Sequence, residues 1–197
     1  MITGVLLAAG AGTRFGTHSK LLHPLADGTP VAVAAATSLL GGVDRAVAVV
    51  RPGRGEVEPG QLAERLAAAG LEVVTAPTAE RGMGASLAAG VAAAEGATGW
   101  VVALADMPWI APATVAAVAG ALRDGAPLAA PFHAGRGGHP VGFAAELGPA
   151  LRGLDGDIGA RPVVAAHRER LVAIPVEDPG IHRDLDRPED GEGATTG

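Results

Sequence analysis

The stretch GVLLAAGAGTRFG, Gly4–Gly16, decides the fold. It opens as an apolar run, breaks into glycines and then presents a single arginine, Arg14. The run Ile2–Ala8 has no polar alternation, as expected of a strand covered on both faces. In α/β sheets, ligands bind outside the carboxyl ends of the strands, so a glycine loop at this place is built for close backbone approach to a ligand. Two phosphate cradles can be tested against it. Gly10, Gly12 and Gly16 are spaced G-x-G-x-x-x-G, one residue longer than the dinucleotide fingerprint, and no acidic residue closes a second strand about twenty positions on. Gly16 is followed by Thr17 and His18, so the G-x-x-x-x-G-K-[ST] pattern fails as well. What remains is a glycine loop carrying Arg14, with Lys20 six residues later. Exposed amides and two cations suit a polyanion such as a triphosphate; the alternative is a surface turn with two solvated cations.

Outward from this loop, short apolar runs alternate with longer helical ones. Strands are expected at Arg45–Val50, Leu71–Thr75, Trp100–Ala105, Leu128–Pro131, His139–Phe143 and Leu171–Pro175. Helices are expected at Val31–Leu40, opened by Pro30, and at Pro59–Ala69, closed by Gly70. More follow at Met83–Ala94 and Pro112–Arg123, with short ones near Ala145–Arg152 and Gly159–Arg168. This alternation implies βαβ units and a mostly parallel sheet with helices on both faces. The expected organisation is one domain over residues 1–190, then a polar, Gly-rich tail, 191–197, expected to be disordered.

Composition narrows the function. The 197 residues contain no cysteine, which excludes disulfides, thiolate metal sites and cysteine nucleophiles. A net charge of −6 without a basic run, and only 3% aromatic residues, argue against nucleic acid as a partner. No apolar stretch reaches the length of a membrane span, and Met1–Ala9 lacks the basic start of a signal peptide. A soluble cytoplasmic protein, with neither nucleic acid nor membrane as partner, is expected.

Three further stretches bear on the loop. VVALADMPW, Val101–Trp109, is a buried strand ending in Asp106, at the same sheet edge as the glycines. A carboxylate facing a triphosphate is a common way to hold Mg²⁺, with phosphate oxygens completing the shell; capping of the turn at Pro108 is the alternative. GRGGHPVGF, Gly135–Phe143, reads as a tight loop entering a strand, or as an ordinary hairpin with a surface histidine, His139. DLDRPED, Asp184–Asp190, offers Asp186 as a second carboxylate, or is a solvated acidic segment with Pro188 starting a short helix.

Taken together and in order, LLAAGAGTRFGTHSKLL (Leu6–Leu22), RGMGASLAAG (Arg81–Gly90), LADMP (Leu104–Pro108), GGHPVGF (Gly137–Phe143), LDGDIGAR (Leu154–Arg161) and DLDRPED make the chain resemble the MobA-like nucleotidyltransferases, and within them the molybdenum cofactor cytidylyltransferases. The likeness runs from Ile2 to about Asp190. It implies a three-layer α/β/α Rossmann-like nucleotidyltransferase fold with a mostly parallel sheet. It implies transfer of CMP from CTP to a phosphorylated small-molecule acceptor, molybdopterin, with release of pyrophosphate, Mg²⁺ as cofactor and a client molybdoenzyme as recipient. By matching position, the resemblance makes Arg14, Lys20 and Asp106 the catalytic residues. Ala8, Ala9, Gly10, Gly12, Gly82 and Ser86 then bind the nucleotide. Asp106 and Asp186 hold the metal, and Gly138, His139, Asp157 and Arg161 lie on the acceptor side. The run Ala8-Ala9-Gly10 favours CTP, whereas Ala-Gly-Gly tends towards GTP.

The chain departs from the family pattern at Ala76–Glu80, which has no Asn, and at Gly84 and Ala85, which stand where hydroxyls are common. It departs again at Gly142, in place of Leu, and at Arg187, in place of Thr. These positions bear on the base and the acceptor. A sugar- or polyol-phosphate acceptor, an NAD(P)H-dependent reductase on the same scaffold and a catalytically silent binding module therefore stand beside the first reading. The nucleotidyl-transfer chemistry needs no nucleophilic side chain. A phosphate monoester has a second pKa near 6. Positioning and charge neutralisation therefore suffice.

Overall fold

The computed structural model describes residues 1–10, 19–52 and 57–185. Gly12, Arg14 and Asp186, the helix expected at Pro188 and the tail 191–197 lie outside the described residues.

The strands are β1 (Ile2–Leu7), β2 (Arg45–Val50), β3 (Glu72–Thr75), β4 (Gly99–Leu104), β5 (Leu128–His133), β6 (Arg136–Gly137), β7 (Val141–Ala144) and β8 (Leu171–Pro175). The helices are α1 (Val31–Leu40), α2 (Val57–Ala68), α3 (Met83–Ala93), α4 (Pro112–Arg123), α5 (Gly148–Arg152) and α6 (Arg161–Ala166). One sheet holds all eight strands in the order β3-β2-β1-β4-β7-β5-β6, with β8 also paired to β5. The pairs β1–β2, β1–β4, β2–β3 and β5–β8 are parallel; β7 runs antiparallel to both β4 and β5. The sheet order reverses at β1/β4, which is the place where α/β sheets open a crevice at their carboxyl ends.

Period-2 alternation divides the core into two layers. Ile2, Leu6, Ala46, Ala48, Val101 and Ala103 face one cluster, which includes Ala35, Leu39, Val115 and Val118 of α1 and α4. Val5, Val47, Val49, Trp100 and Val102 face the other, which includes Leu87, Val91 and Leu151 of α3 and α5. The Ala-rich helices lie close on the sheet. A Cβ added at Gly90 of α3 would stand 2.6 Å from Val5 Cγ1 and 2.8 Å from Val49 Cγ2. That contact sets how near the start of α3 comes to the end of β1.

Several boundaries differ from the sequence expectation. Helix α2 begins at Val57, two residues earlier than expected, because proline is tolerated in a first turn, where the amide has no helical partner. Strand β5 runs on to His133 and turns through Ala134 (φ 49°) and Gly135 (φ 76°) into the short β6. Two successive positive φ values suit a tight hairpin turn. Strand β7 begins at Val141 instead of His139: Pro140 has no amide to give the ladder, and the His139 amide is spent on the Ile181 carbonyl (3.0 Å). The helix expected over Gly159–Arg168 is α6 followed by a 3₁₀ turn, Arg168–Arg170. Pro30 precedes the first residue of α1.

Candidate active site

The carboxyl ends of β1, β2, β3 and β4 open onto a cleft of about 650 Å³. Leu7, Ala9 and Gly10 bring the exit of β1, and Leu104 and Asp106 bring the exit of β4. Gly82, Met83 and Ser86 bring the first turn of α3, and Asp157 closes the wall. Buried Ala8 anchors the strand exit, its amide donating to the Val49 carbonyl at 2.9 Å.

The short 3₁₀ helix Lys20–Leu22 carries Lys20 back over the strand ends. Lys20 Nζ donates to Asp106 Oδ2 at 2.9 Å, with both side chains partly shielded, 14% and 28% exposed. Sequence reasoning places both residues at the ligand edge of the sheet, Lys20 for the triphosphate and Asp106 for the metal; the structure joins them directly. The Asp106 carboxylate is thus turned towards the cleft cation and does not cap its own turn, where the Met107 amide donates to the Leu104 carbonyl (3.2 Å). Among the described residues no group of three or more His, Asp or Glu side chains forms a metal cage. A single carboxylate at the edge of a cleft of this volume suits a divalent cation such as Mg²⁺, which commonly takes one or two protein oxygens and completes its shell from phosphate and water.

The α3 wall is built by close backbone packing. Gly82 has φ 122°, and a Cβ there would overlap the Asp157 carboxylate and stand 2.6 Å from the Gly156 carbonyl. The Gly84 amide donates to that carbonyl at 2.7 Å. Arg81 clamps the loop from outside: its Nη2 lies 2.7 Å from Asp155 Oδ2, and its Nε donates to Oδ1 at 2.9 Å. Arg81, seconded by the Gly156 amide, holds the Asp155 carboxyl below its ordinary range. Ser86 Oγ donates back to the Gly82 carbonyl at 3.0 Å, a bond internal to the helix start. Asp157, placed by resemblance on the acceptor side, therefore shares a wall with the residues placed at the nucleotide.

The other three acceptor-side residues lie beyond the Asp106 turn. Gly138 packs on Ile181, whose Cγ1 would be 2.7 Å from an added Cβ. His139 is half-buried, and its Nδ1 is shielded without a hydrogen-bond partner among the described residues, as is Trp100 Nε1 at the opposite end of β4. Burial depresses the His139 imidazole below the ordinary 6.5; Arg161 acts in the same direction, and Asp106 and Asp184 oppose it. The four groups thus share one electrostatic neighbourhood, although Arg161, the first residue of α6, is exposed.

Sequence reasoning missed Arg51 and Pro52, which also line the cleft, as do Ala79 and Glu80 of the segment that departs from the family pattern. Arg51 and Pro52 follow β2, and Ala79 and Glu80 sit in the 3₁₀ turn Pro77–Arg81 after β3. The available signal was position: each follows a parallel strand at its carboxyl end.

Residues 4–171 match the family model described as the MobA-like NTP transferase domain. The nicotine blue oxidoreductase of Paenarthrobacter nicotinovorans is 35% identical over 196 residues, spanning 94% of this chain and 92% of that protein. A nucleotidyl transferase from Methanothermobacter thermautotrophicus superposes with a TM-score of 0.78 at 27% identity, covering 96% and 94% of the two chains. The manganese complex of Rv0371c from Mycobacterium tuberculosis gives a TM-score of 0.70 at 28% identity, covering 89% and 88%.

Proposed function

As the chain belongs to the MobA-like NTP transferase family, we propose that it transfers CMP from CTP to a phosphorylated acceptor, molybdopterin, with Mg²⁺ as cofactor. The observation that carries this reading is the Lys20–Asp106 pair at the carboxyl ends of β1 and β4, beside a cleft large enough for a nucleotide. CTP is favoured by the run Ala8-Ala9-Gly10.

In this reading the backbone at Ala8–Gly10 and the first turn of α3 hold the nucleotide, with Gly82 and Ser86 in contact with it. Lys20 leaves Asp106 for the phosphates, and Asp106 then holds the metal. Asp186 and Arg14, beyond the described residues, are proposed to complete the metal and phosphate contacts, and Gly12 the glycine cradle. Gly138, His139, Asp157 and Arg161 orient the acceptor. An oxygen of the acceptor phosphate attacks the α-phosphorus of CTP. The new P–O bond forms as the α,β-bridging P–O bond breaks, and pyrophosphate leaves with the electron pair. Mg²⁺, when bound, neutralises charge that develops on the phosphates. The acceptor is already anionic at pH 7, so no general base is required. The product would pass to a client molybdoenzyme in the cytoplasm.

A thermal-shift panel of CTP, GTP, ATP, UTP and NADPH, each with and without Mg²⁺, tests the reading. A ligand at one hundred times its Kd stabilises the fold by about 2.7 kcal/mol. The expected result is a shift with CTP that requires Mg²⁺, followed by pyrophosphate release once molybdopterin is added. A second reading, an NAD(P)H-dependent reductase, is favoured by the 35% identity to a protein named an oxidoreductase. A shift with NADPH and none with any triphosphate would replace the first reading by the second.

A further inference from the structure

Asp178 is a buried carboxylate, 8% exposed, with no part in the reading above. Both of its oxygens accept hydrogen bonds. Oδ2 takes the Ala111 amide (2.9 Å) and the Thr114 hydroxyl (2.6 Å) at the start of α4. Oδ1 takes the Gly180 amide (2.9 Å). The carboxylate thus ties α4 to the segment that follows β8.

That segment, residues 176–185, crosses the carboxyl edge of the sheet as a strap. At one end the Val176 amide donates to the Phe132 carbonyl at 2.9 Å. In the middle the Ile181 carbonyl receives the His139 amide at 3.0 Å. At the other end the Leu185 amide donates to the Asp106 carbonyl at 2.8 Å. Packing wedges the strap against the Asp106 turn: a Cβ on Gly180 would overlap the Trp109 carbonyl, and the Arg183 guanidinium lies 4.3 Å from the centre of the Trp109 ring. The strap therefore touches the two loops that carry Asp106 and His139, and one buried carboxylate pins it between them.

We propose that Asp178 is a positioning residue: through the strap it sets the backbone at Asp106 and at His139 together. The proposal rests on the reading of Asp106 as a metal-side carboxylate. A carboxylate that only accepts is required here, because donors approach both oxygens. An asparagine would turn its NH₂ group towards a donor in either orientation.

The test compares Asp178→Asn and Thr114→Val with Leu66→Ala. Leu66 is a fully buried residue of α2, a helix that packs on α1, β2 and β3, so its variant loses stability alone. Two readouts are taken well below each Tm: the His139 ¹³Cε1 resonance, assigned with His139→Gln, and Mn²⁺ affinity in the presence of CTP by EPR. Asp178→Asn is expected to move the His139 resonance and to weaken Mn²⁺ binding at least fivefold. Thr114→Val should do so in the same direction by less, and Leu66→Ala should leave both unchanged at a comparable loss of Tm. A fall in Tm with both readouts as in the wild type would make Asp178 a stability clasp only and overturn the proposal. If Asp178→Asn does not fold, Thr114→Val carries the same two outcomes. A wild type that binds no Mn²⁺ with CTP and releases no pyrophosphate sinks the transferase reading instead; the His139 resonance then decides the strap's role alone.

Discussion

Asp106 and Lys20 meet at 2.9 Å across 86 positions of sequence, and each is the other's electrostatic complement. Asp106→Asn keeps the size of the side chain and removes its charge. Mg²⁺-dependent pyrophosphate release should fall by at least a hundredfold while the Tm stays within a few degrees; undiminished release would remove Asp106 from the chemistry. Gly82 is a sharper structural case. Its φ of 122° is unfavourable for an L side chain, and a Cβ would strike the Asp157 carboxylate and the Gly156 backbone. Gly82→Ala should cost about 1–3 kcal/mol in urea unfolding and raise the KM for the triphosphate. An unaltered KM would mean that this wall does not contact the nucleotide. Among single residues, Lys20 and Asp106 were legible because strand ends and glycine loops mark the ligand edge, and Gly82 and Ser86 only through the family resemblance; all four line the cleft. Arg51 and Pro52 were not legible, because nothing local separates a cleft-lining side chain from a solvated one.

Elements are joined by a few polar clasps, and one of them should respond to acid. Asp44 accepts the Ile2 amide at 2.6 Å and Arg123 Nη2 at 2.8 Å, so it ties the start of β1 to the end of α4. The Ile2 amide is the largest cause holding its carboxyl below the ordinary 3.8, with Arg123 adding to it. The folded form therefore binds a proton less readily than the unfolded chain. The stabilisation is complete above about pH 4 and is lost as pH falls through the depressed folded value. Asp44→Asn should lower stability at pH 7 by about 0.5–1 kcal/mol, the scale of a largely exposed clasp. The gap between variant and wild type should close below pH 3.8 in urea titrations; a gap that persists at pH 2 would assign the effect to packing. The helices and most strands were legible from apolar period, proline and glycine. The tight turn after β5 was read from its glycines, but the start of β7 was not: His139 and Pro140 read as strand locally, but their backbone partners lie elsewhere or do not exist.

For the whole molecule, the sheet order and the closeness of its layers decide whether a site exists at all. Gly90 lets α3 rest on Val5 and Val49, bringing Gly82, Met83 and Ser86 over the end of β1. Gly90→Ala should lift α3 and cost about 1–3 kcal/mol by overpacking, measured by urea unfolding, with weaker nucleotide binding in parallel. Loss of stability with nucleotide affinity intact would show that the cleft tolerates the shift. The sequence by itself determined the alternation of strands and helices, the double-sided burial of β1, β2 and β4, and the edge at which Asp106 and the glycine loop emerge. Those features are written in local period and punctuation, which need no knowledge of distant residues. Only the tertiary structure decided that Lys20 grips Asp106 directly, that Asp157 shares a wall with Gly82, and that the strap from Asp178 reaches both Asp106 and His139. Those contacts join residues far apart in the chain. They follow from strand order and from backbone close enough to exclude a single Cβ, neither of which leaves a periodic trace in the sequence.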